Sequence, residues 1–179
     1  MLSPIKNALL FLIQMVFDLY LLVLMVRLIL FWSKSNYFNP ITQTVIKLTQ
    51  RIINPLRRII PNYKNLETAT LVTIFIIESI KYFLLGLIAY GVQNSVGIFF
   101  LAFIEMIKLL LNTFFYAILL QAILSWVNAG YSPLGEVLAQ ITSPIMRPLR
   151  RLIPPVGGFD ISPIPALIGL QLLLILLSF

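Results

Sequence analysis

The chain has no cysteine and no histidine, and only six of its 179 residues are acidic. Without cysteine there are no disulfides, thiol nucleophiles or thiolate-bound metals. Without histidine there is no imidazole acid–base chemistry and no histidine-ligated zinc or haem. Charge of either sign is scarce. Asp, Glu, Lys and Arg make up 11% of the residues, where a soluble domain carries about 25%. Such a chain cannot cover itself with polar surface. It is 60% hydrophobic, and membrane-spanning helices are the physical solution. The net charge is +7. Nine basic residues fall in two connecting stretches, where in a membrane protein they set topology; nucleic acid is disfavoured, because no exposed aromatics are interleaved for stacking.

Those two stretches carry the same motif. Residues 54–61 read Asn-Pro-Leu-Arg-Arg-Ile-Ile-Pro and residues 147–154 read Arg-Pro-Leu-Arg-Arg-Leu-Ile-Pro. At a spacing of 93, Thr49 aligns with Thr142, Glu67 with Asp160 and Glu78 with Gln171. Upstream the spacing is 94 and aligns Trp32 with Trp126. Self-similarity of this kind marks a duplicated unit.

Four apolar runs separate the polar stretches. The first, 8–31, is interrupted only by Gln14, Asp18 and Arg27. It exceeds the roughly 7–15 residues of a signal-peptide core and is followed by no A-x-A-like site, so it reads as a span. The second, 70–90, contains Glu78 and Lys81, and an uncharged turn at 91–97 follows. The third, 98–126, holds Glu105, Lys108, Asn112 and Gln121, and is long enough to be tilted or to project from the membrane. The last, 163–179, has 17 residues, near the lower limit for crossing.

Between the first two runs, Ile41, Val45, Leu48 and Ile52 recur at helical spacing while Thr42, Gln43, Lys47, Gln50 and Arg51 face away. Asn39-Pro40 supplies a cap and first position, and Pro55 is expected to end the helix. Ser132-Pro133 opens the counterpart, with Leu134, Val137, Leu138 and Ile141 on one face and Pro144 as its expected stop. A Gly157-Gly158 turn, then Asp160, Ser162 and Pro163, lead into the last run. Basic amphipathic helices beside spans are expected to lie in the headgroup plane. The expected fold is all-α: one polytopic membrane domain of four transmembrane helices, built as two tandem parallel repeats, 1–92 and 93–179. Each repeat has its own interfacial helix and Pro-Leu-Arg-Arg loop. Both loops then face the cytoplasm and both termini the outside, with Lys6 on the disfavoured side.

The paired Pro-Leu-Arg-Arg-x-Ile-Pro motifs, the Trp at each first-span end and Gly157-Gly158-Phe159-Asp160-Ile161-Ser162-Pro163 together resemble the YggT (YlmG) family. The resemblance covers nearly the whole chain and is better in the second copy. In the first, Asn62-Tyr63-Lys64-Asn65-Leu66-Glu67 replaces the Gly-Gly-x-Asp turn. It implies a small bacterial inner-membrane protein. Members are linked to osmotic tolerance and ion uptake, and plastid relatives to cytochrome b assembly and nucleoid distribution.

The candidate lipid- or partner-binding residues are Arg57, Arg58, Arg147, Arg150 and Arg151. The planar guanidinium suits bidentate contact with the phosphates of an anionic leaflet. They either form a specific lipid or partner site or merely fix topology. Inside the spans, Glu78–Lys81 and Glu105–Lys108 share the i, i+3 spacing of one helix face. Counted from a turn centred near Gln93, Glu78 is level with Lys108 and Lys81 with Glu105. This predicts a four-membered charge cluster clasping spans two and three. Arg27 is expected to snorkel, and Asp18 to find Gln121, Asn112 or a Lys within the bundle. No paired carboxylates, Ser-His pair or phosphate-binding Gly-rich loop appears, and neither cofactor nor metal is expected. The leading expectation is a non-enzymatic scaffold or assembly and stress factor whose basic loops meet anionic headgroups, a membrane-protein partner or a second copy. An ion or osmolyte pathway component is the alternative.

Overall fold

Ser3, Asn39 and Ser132 each stand just before a proline, and each opens a helix as a side-chain cap. They accept from the backbone N–H of Lys6 at 3.3 Å, Ile41 at 2.9 Å and Gly135 at 3.0 Å. The computed structural model describes residues 3–91, 95–127, 132–153 and 160–178, apart from the side chains of Ser95 and Trp126. The centre of the turn at 92–94 and the Gly157-Gly158-Phe159 turn therefore lie outside the described residues. The helices are α1 (Pro4–Trp32), α2 (Pro40–Arg57), α3 (Thr68–Tyr90), α4 (Ser95–Trp126), α5 (Pro133–Leu152) and α6 (Pro163–Leu176). The described residues form no strand beyond an isolated bridge between Tyr63 and Leu66.

Three helices, α1, α3 and α4, are long and apolar enough to cross a membrane. The fourth expected span is shorter than its apolar run: α6 has 14 residues. At about 1.5 Å per residue it reaches roughly 21 Å, less than a hydrocarbon core of about 30 Å. Along the bundle α1 packs on α3, α3 on α4 and α4 on α6, while α2 and α5 touch each other and the long helices.

The amphipathic helices depart from the sequence expectation in where they end. Pro55 does not end α2, which runs to Arg57, and α5 continues through both Pro144 and Pro148 to Leu152. Proline removes one intrahelical donor and leaves the carbonyl four residues earlier without its partner. In α5 that carbonyl belongs to Gln140, and the Ser143 hydroxyl donates to it at 2.9 Å. The two helices also differ in which face is buried. In α2 the buried positions are Thr42, Thr49 and Ile53, whereas Leu48 and Ile52 of the apolar stripe are exposed. In α5 the apolar stripe is buried at Val137, Leu138 and Ile141, joined by Thr142 and Met146, with Leu134 left exposed. Both helices therefore contribute to the core.

That core is uneven along the long helices. In α1 the buried side chains, Leu21, Leu24, Met25, Leu28 and Ile29, lie in the second half, near α2. The first half presents Ile5, Phe11 and Val16 outward, as a lipid-facing helix does. At that end the Lys6 ammonium donates to the Ala89 carbonyl at 3.2 Å. A cation at the C-terminal end of α3 is favourable whichever side of the membrane it occupies.

Candidate functional site

Among the described residues, three polar clusters involve the residues singled out in the sequence. The first is where α1, α2 and the start of α3 meet. Lys64, in the left-handed region at φ 51°, reverses the chain in a tight turn closed by hydrogen bonds between Tyr63 and Leu66. The turn delivers Glu67 to the N-terminus of α3, where a negative charge is favoured by the helix dipole. Arg27 meets it there with a planar fork: Nε donates to Oε2 and Nη2 to Oε1, each at 2.8 Å. The third guanidinium nitrogen donates to Thr49 Oγ1 of α2 at 2.8 Å, and the Thr70 hydroxyl donates to Glu67 at 2.6 Å. Arg57 adds a looser ion pair with Glu67 at 3.4 Å while resting 6.0 Å over the Phe31 ring. Glu67 and Arg27 are both buried. Arg27 therefore does not snorkel: the acid that begins α3 lies beside it, so its charge is matched inside the protein.

The second place is the corresponding junction of α4, α5 and α6. Arg150 Nε donates to Asp160 Oδ2 at 2.8 Å, and Asp160 also accepts from the Ser162 amide at 3.0 Å and from its hydroxyl. Thr142 donates to Gln121 Oε1 at 2.5 Å. Gln121, Arg150 and Asp160 line one small cavity of about 70 Å³. Thr142, Arg150 and Asp160 are the aligned counterparts of Thr49, Arg57 and Glu67, and the spacing of 94 puts Gln121 opposite Arg27.

The third place lies within the long helices. Lys81 is buried and reaches Asp18 of α1 at 2.9 Å and Glu78 of its own helix at 2.6 Å. Both contacts are ion pairs. Lys108 pairs with Glu105 at 2.9 Å, and both remain partly exposed. The expected four-membered cluster is thus split in two, with no ion pair between Glu78 and Lys108 or between Lys81 and Glu105. Equal distance from the turn matched these groups in height, but rotation about the axis decides contact, and α3 turns Lys81 toward α1. Of the expected partners for Asp18, the lysine is the one that meets it.

Burial pushes the Glu67 carboxyl upward, but hydrogen bonds from Arg27 and Thr70 and the charges of Arg27 and Arg57 outweigh it and hold the group below its ordinary value. Asp160 follows the same pattern: burial raises it, and Ser162 and Arg150 bring it below the usual range. The two arginines of each motif have separate tasks. The first, Arg57 or Arg150, turns onto the acid at the start of the next helix. The second, Arg58 or Arg151, is exposed and makes no ion pair among the described residues, and the same holds for Arg147. The described residues contain no group of three acids that could hold a metal.

A family model described as CCB3/YggT matches the chain twice, over residues 6–88 and 100–179. The chain belongs to the CCB3/YggT family. A Vibrio alginolyticus protein from the proC 3' region is 40% identical over 92% of this chain and 90% of its own length. YggT of Escherichia coli K12 is 38% identical over 88% of the chain and 82% of its own length. A Pseudomonas aeruginosa relative is 35% identical over 94% and 87% respectively. No solved structure matches the chain. The boundary between the two family matches falls near the α3–α4 connection, so each match contains one junction of the kind just described.

Thr49, Thr70, Glu67, Gln121, Thr142 and Asp160 are site residues that no binding or catalytic motif marks in the sequence, although the alignments of Thr49 with Thr142 and of Glu67 with Asp160 are a visible signal. Replacing Arg27 with Met should cost about 3–5 kcal/mol, because it leaves Glu67 buried with too little positive charge. Arg27→Met with Glu67→Leu should cost clearly less. Unfolding midpoints in detergent would test this, and a double variant as damaged as the sum of the singles would refute it. Since Glu67 and Asp160 are depressed on folding, their stabilisation is complete above their unfolded values, near 4.5 and 3.8, and is lost as pH falls through the lower folded values. The melting temperature should therefore drop below about pH 4.5, and this acid loss should shrink in the double variant.

Proposed function

We propose that the chain is a non-enzymatic membrane scaffold that holds two basic, amphipathic helices against one face of the bilayer. The observation carrying this reading is the division of the paired arginines. One of each pair locks a helix junction internally, while Arg58, Arg147 and Arg151 are exposed, as are apolar side chains such as Leu48 and Ile52 of α2 and Leu152 of α5. Exposed guanidinium groups and exposed apolar side chains on the same amphipathic elements suit the boundary between phosphates and acyl chains. Partners would be anionic lipids, and through them or beside them a membrane protein or a second copy.

In this reading the chain crosses four times, as two tandem repeats of the same orientation in the bacterial inner membrane. The double family match and the matching junctions support the repeat. α6 packs along α4 and buries Ala166 and Leu170 there, so local bilayer thinning would complete its crossing at modest cost. Both arginine-bearing loops are then cytoplasmic. The alternative is a component of an ion or osmolyte uptake pathway linked to osmotic tolerance, and the Asp18–Lys81–Glu78 triad favours it. A pathway protein would pass ions across liposomes, and a scaffold would not.

Cysteines introduced at Asn62 and Gly157 should resist impermeant thiol reagents in intact cells, while one at Asn94 should react. The reverse labelling would overturn the topology. Changing Arg58, Arg147 and Arg151 to Gln should weaken co-purification of anionic lipid about a hundredfold, at about 1 kcal/mol per basic residue, without loss of folded protein. Lipid content equal to wild type would leave these arginines only a topological role.

A further inference from the structure

Asp18 stands at the middle of α1, whose 29 residues run from Pro4 to Trp32, so about 21 Å of helix lies on either side of it. In a spanning helix that is mid-membrane, where charged groups turn inward and pair. Asp18 does so only in part. Its Oδ1 accepts from Lys81 at 2.9 Å, yet 47% of its side chain stays exposed, against 5% for Lys81 and 2% for Glu78. It opens onto a groove of about 350 Å³ lined by Phe11, Gln14, Met15, Asp18, Leu19 and Leu22. All six belong to α1, so the groove is a feature of one helix surface rather than a cavity between helices.

Shape and charge together say what covers it. Met15, Asp18, Leu19 and Leu22 stand at i, i+3, i+4 and i+7, the four-residue hole that receives a side chain from a neighbouring helix. Lipid tails would fill the same hollow but bring no donor to a carboxylate. The charge is also unbalanced. Lys81 is shared by Asp18 and Glu78, so two carboxylates meet one ammonium and the triad keeps a net negative charge. The other lysine inside α3 and α4, Lys108, is taken by Glu105. A second copy does not supply what is missing. A twofold axis along the membrane normal would set residue i of one α1 against residue i of the other, bringing two negative triads together at equal depth. The complement is a helix that carries a positive charge.

We propose that the Asp18 face of α1 docks a transmembrane helix of another protein, one that carries a lysine or arginine at mid-membrane and inserts it into the hole beside Asp18. Such a side chain is itself costly in lipid without a carboxylate, so each group meets the other's need. The proposal deepens the partner side of the scaffold reading. It uses a different surface from the exposed arginines, so either can fail while the other stands.

The test places the full chain, with one cysteine appended after Phe179 to carry a donor dye, in phosphatidylcholine vesicles with model helices. Each model helix is a leucine–alanine span bearing an acceptor dye, and the three differ only at their centre: lysine, leucine or glutamate. Energy transfer should show the lysine helix associating about tenfold or more tightly than the leucine helix, the gain expected of one polar contact between helices in a membrane. The glutamate helix should do no better than leucine. Asp18→Asn should bring the lysine helix down to the leucine level, while Lys81 keeps Glu78 as its partner. Met15→Trp fills the hole from an exposed position and leaves every ion pair intact, so it should weaken association even if Asp18→Asn proves unstable. No preference for the lysine helix, or unchanged association in Met15→Trp or in folded Asp18→Asn, overturns the proposal. Association between copies of the chain that Met15→Trp abolishes overturns it too, because the face then belongs to a second copy.

Discussion

The Arg27–Glu67 fork is the interaction on which the first half of the molecule depends. It joins the end of one long helix to the start of another, and through Thr49 it draws in the helix that lies beneath both. Apolar packing alone would hold these three elements weakly, because between helices in a membrane lipid tails are as good a neighbour as leucine. A bidentate ion pair with a third partner has one good geometry, so it sets the rotation of α1 and the entry of α3 at once. A charged pair excluded from water offers little net stability over an apolar one. Its contribution here is to make alternative arrangements expensive.

Local features were the ones legible in the residues. Asn39-Pro40 and Ser132-Pro133 declare helix starts because cap and first position lie within three residues of each other. Glu78 and Lys81 declare a pair for the same reason. The repeat landmarks Thr49, Thr142, Glu67 and Asp160 were visible as equivalences, and the structure makes each a member of a helix junction. What could not be read was rotation and long separation. Arg27 and Glu67 are forty residues apart, and nothing along the chain says that the Lys64 turn returns the acid beneath the arginine. Leu48 and Ile52 mark the apolar stripe of α2, but nothing along the chain says that Thr49, on another face, is the one that meets Arg27. Pro144 looked like a stop, and its effect is offset by the hydroxyl of the residue before it.

The two junctions solve one mechanical problem with different chemistry. Each ties a basic motif to an acid heading the next helix, and each places a threonine of the amphipathic helix against a polar group near the end of a long one. In the first half the polar group is charged and the acid is buried. In the second it is an amide, and Asp160 is partly exposed and served by Arg150 and Ser162.

That difference governs how each half can change over generations. Gln121 and Thr142 are neutral, so either can be exchanged for another small polar residue while its neighbour stays in place. Arg27 and Glu67 are entrenched together: losing one strands the other, so both single-change intermediates are less stable than either the original pair or a paired exchange. Sequence drift should therefore move the second junction in single steps, while the first can alter only by a paired exchange.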